Sequence, residues 1–262
     1  LYKLRYRKPK QLLDRDAVHE VTERLSWDGS IIKDLVESDF LPIIEKAKSE
    51  NIEAIAVCFL HAYTNPQHEL RAREILQAAL PEISVSLSHE VAPEWREVER
   101  ASSTVMDAYV APVVELYLKT LKSELLAEGM QETIHVMRSN GGVMTDTSAS
   151  KHPISTLLSG PVGGSIGGMQ LSAATGLNNL LCVDMGGTSF DLSLVVDGQP
   201  QLTSETVLEG LPLLMSIINI ETVGAGGGSM AWIENGFCLF IFDVCCLHHP
   251  NHLYLFLKKC SR

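Results

Sequence analysis

Asp184, Gly186, Gly187 and Thr188 stand together between two apolar runs in the stretch LLCVDMGGTSFDLSLVVDG, residues 180–198. Both runs have strand length and aliphatic or β-branched character, and Asp197-Gly198 closes the second. Strand, tight turn, strand is therefore the predicted local structure. Two glycines without Cβ atoms let a polyphosphate approach the backbone N–H groups of the turn. Thr188, with Ser189 beside it, adds hydroxyl donors. Asp184 at the mouth of the turn has the chemistry to hold Mg²⁺ through water. Taken alone, the pattern also describes an ordinary hairpin with a glycine turn.

Three further glycine-bearing segments share this character. Arg138-Ser139-Asn140-Gly141-Gly142 follows a predicted strand at 133–137. Ser159–Gly168 reads SGPVGGSIGG, with Pro161 suited to the first turn of a helix; the small residues allow either close backbone packing or an anion at the helix N-terminus. Val223–Ser229 reads VGAGGGS, and Gly224, Gly226, Gly227 and Gly228 would offer a nucleotide a bare backbone surface. Two histidine-bearing segments stand apart from these. His61-Ala62-Tyr63 closes a predicted strand, where open α/β sheets bind ligands. His89, between carboxylates in SHEVAPE, is either a metal or acid–base group or simply a solvated loop residue.

The elements that must position these residues alternate between strand and helix. Residues 51–60 are nearly continuous apolar, which predicts a strand buried on both faces, as in a parallel sheet. A helix follows, with Asn65 as its cap, Pro66 in its first turn and Leu70, Ile75, Leu76 and Ala79 on one face. Another strand is predicted at 83–87, and a helix at 39–49. Residues 97–126 read as a long helical region interrupted near Pro112, with Tyr109, Val113, Leu116 and Tyr117 turned to the core. Trp27-Asp28-Gly29 reads as a turn.

With 262 residues, 45% of them hydrophobic and 20% charged, the chain can bury a real core. A net charge of −11 argues against nucleic acid or an anionic membrane as partner. It does not argue against ATP, whose phosphates are held locally. No apolar run is long enough to span a bilayer, and no signal peptide opens the chain. Four of the six cysteines lie in the last stretch, while Cys58 and Cys182 sit in apolar runs as small hydrophobes. That usage fits a reducing cytoplasmic setting. The closing Cys245, Cys246, His248, His249 and His252 lack the spacing of a usual metal site.

The segments AIAVCFLHAYTNPQHELRAREIL, SLSHEVAPEWREVERASSTVMDAYVAPVVELYL, VMRSNGG, TLLSGPVGGSIGG, VDMGGTSFDLSL and TVGAGGGSMAW occur in the order seen in the hydantoinase A/5-oxoprolinase family, which this chain resembles over roughly residues 20–236. That family consists of ATP-dependent enzymes opening small cyclic amides, and its relatives include an acetone carboxylase subunit. The resemblance implies an α/β fold similar to the actin-like ATPase, sugar-kinase-like (ribonuclease H-like) superfamily. It places Asp184, Gly186, Gly187 and Thr188 at a second phosphate-binding hairpin and 224–229 at a further nucleotide-side turn. It implies ATP and Mg²⁺ as cofactors, a hydantoin or 5-oxoproline as substrate and a second, hydantoinase B-like subunit or domain as partner. An acetone-carboxylase-type reaction is the alternative enzyme, and a truncated non-catalytic remnant the alternative outside catalysis. Asp191 is a candidate to act on the ring or to brace the hairpin.

The same resemblance divides the chain into the end of an N-terminal lobe (1–95), a core with the phosphate hairpin (96–236) and a tail (237–262) foreign to the fold. It also implies that a first glycine-threonine hairpin should stand before residue 1, so the sequence reads as a fragment.

Overall fold

A computed structural model describes residues 12–130, 133–187, 189–208, 210–227, 230–234, 237–241 and 258–259. Its first elements are β1 (Arg24–Leu25), β2 (Ile31–Lys33), α1 (Phe40–Ser49), β3 (Ala54–Val57), α2 (Gln67–Ala79), β4 (Ser84–Leu87) and α3 (Ser88–Val91). Next come α4 (Glu97–Ala127), β5 (His135–Met137), β6 (Val143–Thr145), α5 (Asp146–Lys151) and α6 (Ser159–Thr175). The remainder is strand: β7 (Leu180–Met185), β8 (Phe190–Val196), β9 (Gln199–Pro200), β10 (Leu202–Leu208), β11 (Leu211–Ile218), β12 (Ile220–Val223), β13 (Met230–Glu234), β14 (Phe237–Ile241) and β15 (Lys258–Lys259). The architecture is mixed α/β. It divides into two units, Leu1–Leu157 with Ser204–Ile217, and Leu158–Thr203 with Ile218–Arg262.

In the first unit the apolar run at 51–60 supplies β3, which pairs in parallel with β4, Ala54 opposite Ser84 through Val57 opposite Leu87. Phe40, Val57, Ala72, Leu76 and Leu87 form the core where α1 and α2 meet this pair. Asn65 accepts the Gln67 N–H at 3.1 Å, as a capping side chain should. Trp27-Asp28-Gly29 does turn the chain, between β1 and β2.

Helix α4 departs from expectation twice. It runs unbroken through Pro112. A proline here removes one hydrogen bond and crowds the carbonyl four residues back, a cost of about 3 kcal/mol that the packing of a 31-residue helix outweighs. Its apolar stripe also faces outward: Tyr109 is 69% exposed and Tyr117 62%, with Val113 and Leu116 beside them. The inward face is mixed instead, with Met106, Ala108, Ala111 and Leu118 buried beside a polar set. Arg100, Ser103, Thr104 and Asp107 are all buried, at helical spacing. Each has a partner: the Arg100 Nη2 donates to the Phe59 carbonyl at 2.9 Å, and the Ser103 Oγ accepts the Leu214 N–H at 2.8 Å. The Thr104 Oγ1 donates to the Arg100 carbonyl at 2.8 Å. Asp107 accepts from the Ser86 Oγ at 2.6 Å and the Ile154 N–H at 2.9 Å.

Burial pushes the Asp107 carboxyl above its ordinary value of 3.8, against the pull of the Ser86 and Ile154 hydrogen bonds. A raised folded value means the folded state holds the proton more tightly than the unfolded one. Stability is therefore greatest below the ordinary value and falls as pH rises through the folded one. Asp107→Asn, which can still accept from Ile154 and donate to Ser86, is expected to flatten that fall and to be no less stable at neutral pH. Asp107→Ala, which orphans the Ile154 N–H, should lose about 1–3 kcal/mol. Urea midpoints across the acid range check both, and an unchanged slope in the asparagine variant would count against the assignment.

In the second unit β7, β8 and β12 form an antiparallel sheet in the order β12-β8-β7, with β9 on β8. Asp197 (φ 52°) and Gly198 (φ 75°) turn β8 into β9, both in the left-handed region that this two-residue turn requires. Helix α6 lies on the face carrying Cys182, Ser193 and Val195. The Ser165 and Ser193 hydroxyls hydrogen-bond there at 2.5 Å, and Val195 is fully buried. On the opposite face Leu181, Val183, Met185 and Leu194 are exposed.

Gly168 makes the closest approach: a Cβ there would fall on the Cys182 sulfur and within 3.4 Å of Val195. Alanine gains about 1 kcal/mol over glycine in a helix interior, less than the ~1–3 kcal/mol that overpacking costs. Gly168→Ala should therefore destabilise, and Cys182→Ala should relieve it. A double-mutant cycle with coupling below about 0.5 kcal/mol would show that the contact is not tight.

Candidate functional site

The glycine turn of the second unit joins β7 to β8, and the Gly186 N–H donates to the Ser189 carbonyl at 3.0 Å to close it. The Gly186 carbonyl in turn accepts the Gly227 N–H at 3.0 Å, so the turn at 186–189 and the loop after β12 lie side by side. Chain segments some forty residues apart are thus brought together. The route is β12, which returns along β8 with Thr222 opposite Asp191 and Val223 opposite Phe190.

Asp184 and Asp191 are direct cross-strand partners. With Thr222 they form one row across three strands, on the α6 side of the sheet. The Asp191 carboxylate is already engaged, accepting the Thr222 Oγ1 at 2.6 Å and the Ser189 Oγ at 3.3 Å. Asp184 is exposed and has no hydrogen-bond or ion-pair partner among the described residues. Both line a cleft of about 260 Å³ whose other wall is α6, including Pro161, Gly164 and Gly168. Two carboxylates facing each other in an antiparallel pair repel unless a cation or a donor lies between them. Thr222 supplies a donor to one. It was not singled out from sequence, because only the β12–β8 register reveals it.

Glycine at these positions is not required by the protein's own packing. A Cβ on Gly187 would meet nothing within 4 Å, and the same holds for Gly160, Gly163, Gly164 and Gly167 along α6. Four glycines in a helix forfeit about 1 kcal/mol each relative to alanine, a cost that no neighbouring atom explains. The Gly187 N–H has no acceptor among the described residues. Gly224 is exposed and Gly226 buried beside it. Thr188 and Gly228 lie outside the described residues, as do the cysteines and histidines at 245–252.

In the first unit, Ser88–Val91 is a short helix rather than a polar loop, and His89 is not simply solvated. Its Nδ1 donates to the Glu69 Oε2 at 2.7 Å, and its backbone N–H reaches the same oxygen at 3.0 Å. The Glu69 Oε1 accepts the Phe59 N–H at 2.9 Å and the Ser88 Oγ at 2.5 Å. Glu69 is fully buried, so one carboxylate fastens the ends of β3 and β4 to α2. His61 adopts φ 62° and its Nδ1 lies 3.2 Å from the Tyr63 hydroxyl. No group of three or more potential metal ligands occurs among the described residues. Cys58 and Cys182 are free and half-buried rather than fully enclosed. Burial pushes the Cys58 thiol up. No helix among the described residues is long and apolar enough to cross a membrane.

Comparison with known proteins places this geometry in context. The α subunit of caprolactamase from Pseudomonas jessenii is 31% identical over 234 residues, covering 89% of this chain and 34% of that protein. The crystal structure of that ATP-dependent caprolactamase superposes with a TM-score of 0.76, over 90% of this chain and 34% of its own. A nucleotide-free structure of acetone carboxylase, from work on ATP-dependent acetone carboxylation, gives 0.72 at 26% identity, over 92% of this chain and 32% of that one. A 5-oxoprolinase from Saccharomyces cerevisiae is 37% identical over 209 residues, 79% of this chain and 16% of that protein. The chain thus spans about a third or less of the length of these relatives. The model of the hydantoinase/oxoprolinase family matches residues 100–239, and that of the hydantoinase/oxoprolinase N-terminal region matches residues 1–80. By sequence and by fold, this chain belongs to the hydantoinase/oxoprolinase family.

Proposed function

We propose that the chain is part of an ATP-dependent enzyme that opens a cyclic amide such as a hydantoin or 5-oxoproline by phosphorylating its ring carbonyl oxygen. The observation that carries this reading is the Gly227–Gly186 hydrogen bond, which sets two glycine segments side by side next to the Asp184–Asp191 pair. The open space at Gly187 fits a phosphate approaching the backbone, and the exposed Asp184 carboxylate, without a partner among the described residues, fits a hard divalent cation that keeps several waters.

In this reading Gly186, Gly187, Thr188 and Ser189, with Gly224 and 226–228, hold the phosphates of ATP, and Asp184 holds Mg²⁺. When bound, Mg-ATP supplies the phosphoryl group that makes the ring carbon a better electrophile for water. Phosphoryl transfer needs positioning and charge neutralisation more than covalent help. The Gly187 N–H, held at the end of the β7–β8 ladder and without an acceptor among the described residues, provides that without reorganisation. Asp191, tied to Thr222 and Ser189, keeps the hairpin in shape. The arrangement belongs to an actin-like ATPase, sugar-kinase-like fold in a cytoplasmic protein, completed by a second, hydantoinase B-like subunit or domain.

A carboxylating reaction is the second reading, favoured by the likeness to acetone carboxylase. The full-length polypeptide with its partner should release ADP in the presence of a cyclic amide and produce the ring-opened product. ADP release that depends on acetone and bicarbonate instead would replace the first reading with the second. No nucleotide binding by the full-length protein would defeat both.

A further inference from the structure

Arg100, in the first turn of α4, is the largest fully buried side chain among the described residues, only 1% exposed. Its Nη2 donates to the Phe59 carbonyl at 2.9 Å, but its Nε and Nη1 have no hydrogen-bond partner among the described residues. A guanidinium does not give up its proton inside a protein, so Arg100 is buried as a cation. Burying an ion without a counter-charge is strongly unfavourable, and an unmet N–H adds to the cost.

The neighbouring groups do not supply that charge. The Glu69 carboxylate shares the Phe59 peptide with Arg100, but its oxygens already accept the Phe59 and His89 N–H groups, the Ser88 hydroxyl and the His89 Nδ1 proton. Glu97 and Glu99 lie in the same turn of α4, and neither bonds to the guanidinium. Burial pushes the Cys58 thiol up against the pull of the Arg100 charge, so the thiol stays neutral. The Tyr63 ring centre lies 5.3 Å from the guanidinium carbon. A ring face attracts a cation without cancelling its charge. The helix makes the spot more positive still. Its N-cap residue, Arg96, provides no side-chain cap, and the aligned peptides of a 31-residue helix place partial positive charge at this end. Parallel strands β3 and β4 both end here, the position at which open α/β sheets bind ligands.

We propose that a small monovalent anion, of the size of chloride, binds beside Arg100 as a structural ion, accepting from the guanidinium and joining the ends of β3 and β4 to the first turn of α4. One negative charge cancels one buried cation, whereas a phosphate or sulfate brings more charge and more volume than the packing around this side chain accommodates. Water would accept the N–H groups but leave the charge uncancelled. The site lies within the first unit and takes no part in the ring-opening reaction, so the two readings stand or fall separately.

The test is thermal unfolding of the full-length polypeptide as sodium chloride replaces sodium gluconate at constant ionic strength, which holds general screening fixed. The melting temperature is expected to rise with chloride. Above the dissociation constant, each tenfold rise in chloride should lower the unfolding constant about tenfold. Arg100→Met, which removes the charge and keeps an unbranched apolar stem, should melt alike in both salts. Crystals grown with bromide in place of chloride should show an anomalous peak against the guanidinium, a readout that needs no variant and so survives a failure of Arg100→Met to fold. Equal melting of the parent in the two salts, a chloride effect that persists in Arg100→Met, or the absence of bromide at Arg100 overturns the proposal. A bromide peak without chloride-dependent melting is an adventitious ion only, and overturns it as well.

Discussion

Glu69→Ala is expected to lower the stability of the protein by about 3–5 kcal/mol, the loss associated with breaking a buried charged network. Both oxygens of this carboxylate are fully used. Removing it leaves the Phe59 and His89 N–H groups, the Ser88 hydroxyl and the His89 Nδ1 proton without their acceptor at a buried or half-buried site. Nearby, the Arg100 Nε and Nη1 already lack partners among the described residues, so the region has little spare bonding capacity. Against a typical total of about 5–15 kcal/mol, the change is a large fraction. It should appear as a drop of about 6–20 °C in melting temperature. Glu69→Gln should fall between, because its amide cannot accept the His89 N–H groups. An alanine variant that melts within about 1 kcal/mol of the parent would mean the network is not holding β3 and β4 to α2.

The second large effect concerns activity. Asp184→Asn is expected to reduce ATP turnover by about 10²–10³-fold while leaving the fold at least as stable. The stability half follows from the register: Asp184 and Asp191 face one another, and neutralising one removes a like-charge repulsion of about 0.2–1 kcal/mol. Asp184 also has no bond within the described residues to lose. Asp191→Asn should behave in the opposite way, because its carboxylate anchors Thr222 and Ser189. Loosening those contacts should destabilise the hairpin. Turnover assays and thermal melts on the same two variants separate the roles. Full turnover in Asp184→Asn would remove this residue from the proposed machinery.

Local chemistry was legible where it was also sufficient. The continuous apolar run at 51–60 gave a strand in a parallel pair, although of its residues in β3 only Val57 is buried and Ala54, Ile55 and Ala56 are half-buried. The stretch at 180–198 gave its hairpin because glycine and Asp-Gly permit few alternatives. Helix α4 misled for the converse reason. Its most apolar stripe, Tyr109–Val113–Leu116–Tyr117, is exposed, while Arg100, Ser103, Thr104 and Asp107 turn inward. Periodicity reports that a face differs from its opposite, not which one is buried when the polar side finds partners on β4, β11 and the turn at 153–156. In the site, the two glycine segments were each visible, but their adjacency was not. It depends on β12 pairing with β8, a non-local register that also hides the bond between Thr222 and Asp191.

The length of the turn between β7 and β8 carries a consequence for anyone probing it. Side chains alternate along a strand, so one residue added between Gly186 and Ser189 would slide the ladder by a single step. Asp191, Ser193 and Val195 would then point away from α6, and Leu192 and Leu194 would be driven against it. Insertions there are expected to give insoluble protein instead of a folded, silent enzyme. Swapping residues at constant loop length is the informative experiment.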